Sequence, residues 1–121
     1  PPDFQILQNP EKYILTEGGS IFMARYQHEI VGTVALKFHS RSLYELTKMA
    51  VNENFQGKKI GRTLAEAAIA KAKNSGAEKI ILYSNTMLAP AIALYQNLGF
   101  REIPVDGPYK RTNIKMELSI V

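Results

Sequence analysis

The chain has 121 residues, 45% hydrophobic and 21% charged, which predicts one globular domain and excludes a disordered tract. No apolar run nears the ~20 residues that cross a bilayer, and the start carries no secretory pattern, so a cytoplasmic protein without membrane contact is expected. Lys+Arg 15 against Asp+Glu 11 gives a net charge of +4, which suits a polyanionic small ligand or nucleic acid without choosing between them. Residues 1–19 are mixed: Asn9-Pro10 breaks any helix, and Gly18-Gly19 marks a turn. Ser20 to Gln27 reads as a strand, His28-Glu29 as a tight connection, and Ile30 to Phe38 as a second strand rich in β-branched residues. Leu43 to Val51 is a third, and the three make an antiparallel meander. The period then changes: Ile60, Leu64, Ala67, Ala68 and Ala72 mark one face of a helix, and Gly76 follows as a left-handed cap. Lys79 to Ser84 is a short buried strand. Pro90 sits at a helix start, Ala91, Leu94, Tyr95 and Leu98 form its apolar stripe, and Gly99 stops it. Arg101 to Ile103 is a brief strand, Pro104, Gly107 and Pro108 a loop, and Ile114 to Ile120 the last strand. The third strand, its helix and the next strand imply one parallel pair inside a mostly antiparallel sheet. The class is mixed α/β with flanking helices.

The stretch Val51 to Leu64, V-N-E-N-F-Q-G-K-K-I-G-R-T-L, carries the chemistry. A strand ends, a glycine loop follows and a helix starts. The first turn of a helix offers unpaired backbone N–H groups and a partial positive charge, a site suited to pyrophosphate. Gly57 and Gly61 remove Cβ atoms where the backbone must turn and approach a ligand. Lys58, Lys59 and Arg62 add charge nearby. A plain connection with solvated lysines has the same pattern, because short glycine motifs are weak.

Three motifs resemble the GNAT (Gcn5-related) N-acetyltransferases. Q-G-K-K-I-G, Gln56 to Gly61, is similar to the family's acetyl-CoA loop, R/Q-x-x-G-x-G/A. Lys59 stands where that pattern has glycine. A non-glycine there keeps φ negative or carries strain of ~1 kcal/mol or more. A-I-A-L-Y-Q-N-L-G-F, Ala91 to Phe100, resembles the family's helix ending in L-G-F, and E-L-T-K-M-A-V, Glu45 to Val51, resembles its fourth strand. The resemblance covers residues 43 to 100 and implies a GNAT-like acyl-CoA N-acyltransferase fold, open in a V between the fourth and fifth strands. It implies acetyl-CoA as cosubstrate. Pantetheine would run along Met49, Ala50 and Val51, and the pyrophosphate would sit on Gln56, Gly57, Lys58, Lys59, Ile60 and Gly61, with Arg62 beside them. The family's first strand and the helices before the meander are expected to be mostly absent, leaving one domain over residues 1–121 without part of the N-terminal helical region.

Acetyl transfer to an amine needs a held thioester, a polarised carbonyl, a base for the amine and an acid for the thiolate. With no cysteine, a Cys-acetyl intermediate is excluded and direct attack remains. With only His28 and His39, no metal is expected. The resemblance makes Tyr95 the acid that protonates the CoA sulfur; its place on the apolar stripe equally fits a core residue. Glu45, eleven residues before Gln56, resembles the glutamate base of the histone-acetylating branch. Its alternative is an exposed glutamate paired with Lys48 or Arg41. Many members place an Asn seven residues before the tyrosine; that position is Leu88 here, and Asn85 lies three residues earlier. Asn85 either bonds cofactor amides or forms a strand-end turn. His39 and Tyr44 either line the acceptor side or are structural. Tyr109, Lys110 and Arg111 each read singly as solvated loop residues, and as a cluster would suit an acceptor bearing a carboxylate.

The reading is an N-acetyltransferase for a small-molecule or peptide amine, its alternative a non-catalytic CoA-binding or regulatory domain of the same fold. Nucleic acid is not expected as a partner, since Lys58, Lys59 and Arg62 gather at one loop where a CoA phosphate accounts for them. Edge strands after Phe100 offer a route to a homodimer.

Overall fold

The computed structural model describes residues 4–10, 19–57, 59–105 and 114–120. Its elements in chain order are β1 (Gln5–Pro10), β2 (Ser20–Tyr26), β3 (Glu29–Phe38), β4 (Leu43–Val51), a 3₁₀ turn at Glu53–Phe55, α1 (Ile60–Asn74), β5 (Lys79–Ser84), α2 (Ala89–Asn97), β6 (Arg101–Ile103) and β7 (Ile114–Ser119). The strands form one sheet in the order β1-β2-β3-β4-β5-β7-β6, antiparallel at every step except β4–β5. This is the mixed class expected from the strand–helix–strand unit.

Two expectations are corrected. Residues 5–10 form a strand that pairs along its length with β2, from Gln5↔Arg25 to Pro10↔Ser20. The first strand is therefore present, and nine residues of sequence connect it to β2. It lies at the sheet edge, where a strand pairs on one side only and tolerates a terminal proline, so it needs no strong alternation. The β2–β3 connection is Gln27-His28, with Gln27 at φ 57, and Glu29 already belongs to β3.

Both crossovers, β4–α1–β5 and β5–α2–β6, join parallel strands and step across the sheet in one direction. Right-handed connections then place α1 and α2 on the same face. The core lies there. Leu64, Ala65, Ala68 and Ala72 of α1 are fully buried against Val34, Leu36, Tyr44, Leu46, Ile80 and Leu82 of the sheet. Small side chains bring helix and sheet close. A Cβ on Gly32 would lie 3.0 Å from Leu64 Cδ1 and 3.1 Å from Ile60 Cγ2, so any larger residue there would make these side chains shift by a few tenths of an ångström. Tyr95, on α2, and Phe100 meet edge-to-face at 5.9 Å within the same buried cluster.

Two features of β4 position the site. Its pairing with β5 lasts three residues, Leu43↔Lys79, Tyr44↔Ile80 and Glu45↔Ile81, after which the strands diverge. Its register against β3 then slips, from Ala35↔Thr47 to Thr33↔Ala50, so Val34 faces an extra residue on β4. Lys48, at φ 55, takes up that bulge. The slip changes which residues face α1. Tyr44 and Leu46 point that way before it, and Met49 and Val51 after it.

Candidate active site

The V opens beyond Glu45 and Ile81. On the β4 side, residues 46–51 have no strand partner toward β5, so the backbone groups on that edge, apart from Val51 O, are available to an extended ligand. The loop that follows is folded by its own side chains. Asn52 Oδ1 accepts the Asn54 N–H at 2.9 Å, and Gln56 Nε2 donates to Val51 O at 3.3 Å. Gly57 turns at φ 80 with nothing within 4 Å of where a Cβ would stand. Lys59 also adopts a left-handed conformation, φ 64 and ψ 17, as the N-cap of α1. Of the two alternatives for a non-glycine here, the chain takes the strained one.

No side chain caps α1. Thr63 N–H bonds Lys59 O at 3.0 Å, and the N–H groups of Ile60 and Gly61 have no partner among the described residues. An uncapped helix start beside an open turn is electropositive and presents donors to an anion. Lys59 is exposed; Arg62 Nε lies 3.4 Å from Glu66 across one helical turn. Lys58 lies outside the described residues.

Gly61 also borders the groove where the end of β4 approaches α2. A Cβ there would meet Leu94 Cδ2 at 3.6 Å, Val51 Cγ2 at 3.7 Å and Met49 Sδ at 4.0 Å. It points into the trough between the end of β4 and α2, not at the loop's anion-facing side. These contacts are ordinary van der Waals distances, so a methyl fits and a branched side chain does not.

At the end of β5, Asn85 forms the turn that launches α2. Its Oδ1 accepts the Met87 N–H at 2.8 Å, and its carbonyl accepts the Leu88 N–H at 2.8 Å. Pro90 is the second residue of α2 rather than the first. Tyr95 is 7% exposed, and its hydroxyl has no hydrogen-bond partner among the described residues. Burial raises its pKa above the ordinary phenol value, which keeps it protonated through the neutral range.

Glu45 lies on the opposite face of the sheet from the helices, at the last paired residue before the V. Its partner is neither Lys48 nor Arg41. His39 Nε2 stands 2.7 Å from Glu45 Oε1, with side-chain exposures of 35% and 14%. The reason is geometric: His39 follows β3 on the same face and reaches Glu45 diagonally, whereas Lys48 is in the bulge. Tyr44 is buried and packs edge-to-face on Phe38 at 5.4 Å, so it is a core residue on the α1 side. The same open face carries contacts that the sequence reading missed. Lys79 Nζ lies 3.0 Å from Glu117 Oε1, and Lys115 Nζ stands 5.3 Å from the Tyr83 ring centroid. Their signal was the β5–β7 register, which sequence alone does not supply. Tyr109, Lys110 and Arg111 fall outside the described residues. Among the described residues, no group of three His, Asp or Glu is placed to hold a metal, and no helix is long and apolar enough to cross a membrane.

The family model described as Acetyltransferase (GNAT) family matches residues 1–100. The chain belongs to the GNAT acetyltransferase family. A Bacillus subtilis (strain 168) relative named uncharacterized N-acetyltransferase YvbK is 32% identical over 110 residues, covering 88% of this chain and 71% of that protein. N-acetylaspartate synthetase of Mus musculus is 28% identical over 111 residues, covering 90% of this chain but 37% of its own length. A GNAT family acetyltransferase from Elizabethkingia anophelis, solved with acetyl-CoA bound, has the same fold: TM-score 0.75 at 22% identity, over 95% of this chain and 98% of that one. The relatives are N-acetyltransferases, which supports that enzyme class for this GNAT chain. Shared fold and family therefore extend well beyond residues 43 to 100, where the resemblance was first read.

Proposed function

We propose that the chain is an acetyl-CoA-dependent N-acetyltransferase that passes acetyl directly to an amine of a small molecule or peptide. The observation that carries this reading is the V itself. On its helix side lie an uncapped, electropositive helix start and a buried tyrosine; on its open face, at the vertex, lies a carboxylate. Cosubstrate and acceptor thus have separate approaches to one opening.

The residues fit the cosubstrate. Pyrophosphate would rest on the backbone donors between Gln56 and Gly61, with Lys58, Lys59 and Arg62 supplying charge. The pantetheine amides would pair with the free edge of β4 at Met49, Ala50 and Val51, as an added strand would. Asn85 shapes the facing rim. Glu45 takes a proton from the acceptor ammonium, which frees the nitrogen lone pair for attack on the thioester carbonyl. The C–N bond forms and the C–S bond breaks; Tyr95 gives its proton to the departing sulfur, and the second proton, shed by the acylated nitrogen, returns through solvent to the Tyr95 phenolate. A single domain fits the shared buried cluster, a cytoplasmic location is part of the same proposal, and no nucleic-acid partner is needed to account for the basic loop.

Two measurements test the reading. Acetyl-CoA at ~100 times its dissociation constant should stabilise the fold by about 2.7 kcal/mol. A panel of amines should release free thiol in proportion to acetylated product. A melt unmoved by acetyl-CoA and by CoA overturns the binding site. Binding without thiol release from any amine favours the non-catalytic alternative.

A further inference from the structure

The hairpin joining β3 to β4 is tightly tied: the N–H groups of His39 and Ser40 both bond Leu43 O at 3.0 Å, and Leu43 N–H bonds Ser40 O at 3.2 Å. This holds His39 next to the vertex of the V. Lys37 is the residue directly across from Glu45 in the β3–β4 register, and a cross-strand ion pair between them would be the ordinary outcome. It does not form. Lys37 is exposed and makes no ion pair with Glu45, whereas His39 makes a short contact with one oxygen, Oε1. The other, Oε2, has no hydrogen-bond partner among the described residues.

We propose that His39 is the positioning residue for Glu45. With the carboxylate ionised, the imidazole Nε2–H donates to Oε1 and fixes the carboxyl plane, so that Oε2 is the oxygen presented to the acceptor ammonium. An imidazole suits this post better than Lys37 would. It is short, it has few rotatable bonds, and it can hold one oxygen as a neutral donor, without adding a positive charge that would repel the ammonium. A flexible lysine would satisfy the carboxylate from many directions and fix none of them. The proposal rests on the reading of Glu45 as the group that takes the acceptor's proton.

The test is a double-mutant cycle on single-turnover acetylation at saturating acetyl-CoA, using the full chain and the best acceptor from the amine panel. Glu45→Gln should lower the rate at least about 100-fold, which checks the underlying reading alone. His39→Leu should lower it roughly 10- to 100-fold, with acetyl-CoA affinity and melting temperature unchanged. His39→Gln, which keeps a side-chain N–H of similar reach, should recover most of the rate. The double variant Glu45→Gln/His39→Leu should be no slower than Glu45→Gln alone, because His39 acts only through Glu45. A slow Glu45→Gln beside a His39→Leu at the wild-type rate overturns the positioning role and leaves the base in place. A double variant slower by the product of the two single effects also overturns it, since His39 would then act independently. If Glu45→Gln itself is at the wild-type rate, the base reading fails and the role of His39 falls with it.

Discussion

Tyr95→Phe separates stability from chemistry more cleanly than any other substitution in this chain. The ring is 7% exposed and packs on Phe100, and both features survive in phenylalanine. Only the hydroxyl is lost, and among the described residues that hydroxyl makes no hydrogen bond. A buried polar group without a partner costs ~1–3 kcal/mol. Because some exposure remains, the lower end applies. The Phe variant should be more stable by about 1 kcal/mol, a rise of a few degrees in melting temperature for a domain of this size. Turnover should move the other way. Loss of a positioned acid lowers the chemical step by roughly 10²–10⁴-fold, about 3–5 kcal/mol of transition-state stabilisation. Single-turnover acetylation is the assay, since it isolates chemistry from product release. Alkaline melting supplies an independent check on burial. The folded-state pKa of Tyr95 is raised, so the folded protein holds this proton more tightly than the unfolded chain does. The resulting stability is fully present below the unfolded value near ~10 and is lost as pH rises through the folded value. That loss should vanish in Tyr95→Phe. A Phe variant with wild-type single-turnover rates would falsify the acid role. A Phe variant that is clearly less stable would show that the hydroxyl has a structural partner.

Two further substitutions probe the loop and the trough. Lys59→Gly relieves a left-handed non-glycine residue worth ~1–2 kcal/mol, offset by ~0.4–1 kcal/mol of added freedom in the unfolded chain. The folded state should gain up to about 1.6 kcal/mol in denaturant titration, while acetyl-CoA binds more weakly in low salt through loss of a cation; a destabilised variant would mean that Lys59 is not strained. Gly61→Ala should fold and bind as the wild type does, because its methyl meets only ordinary contacts, whereas Gly61→Val should lose about 1–3 kcal/mol of stability through overpacking against Val51 and Leu94. Equal melting temperatures for the two variants would show that the trough is roomier than described.

The sheet's interior was legible in the sequence because its signals are strong there. Leu43–Val51, Lys79–Ser84 and Arg101–Ile103 have the bounds expected from the sequence. Both helices ended where glycine takes a positive φ, at Gly76 and Gly99. What was not legible depends on pairing. The strand at Gln5–Pro10 is a mixed polar segment that is extended because β2 lies beside it. The bulge at Lys48 has no glycine or asparagine to announce it; a lysine adopts the left-handed conformation because the register demands an extra residue there. The chemistry divided in the same way. The loop and Tyr95 sit in local motifs, which linear order displays. The choice of His39 over Lys48 or Arg41 as the partner of Glu45 arises from a diagonal across two strands, which linear order does not display. For Gly61 the pattern displays a glycine at the helix start, but only coordinates show that a Cβ there would face Leu94, Val51 and Met49 at 3.6–4.0 Å.

The three-residue seam between β4 and β5 has a consequence for how the chain is divided. β1 to β4 with α1 packed over them form one block; β5, α2, β6 and β7 form the other. The exposed turn around Ser75 and Gly76 is where the chain passes between them. Linear order thus coincides with the two walls of the opening. The uncapped start of α1 and Glu45 belong to the first wall, and Tyr95 belongs to the second. On the proposed reading, a change that lets the walls drift apart would leave the cosubstrate's phosphates gripped while withdrawing the acid from the sulfur, so that affinity and turnover part company.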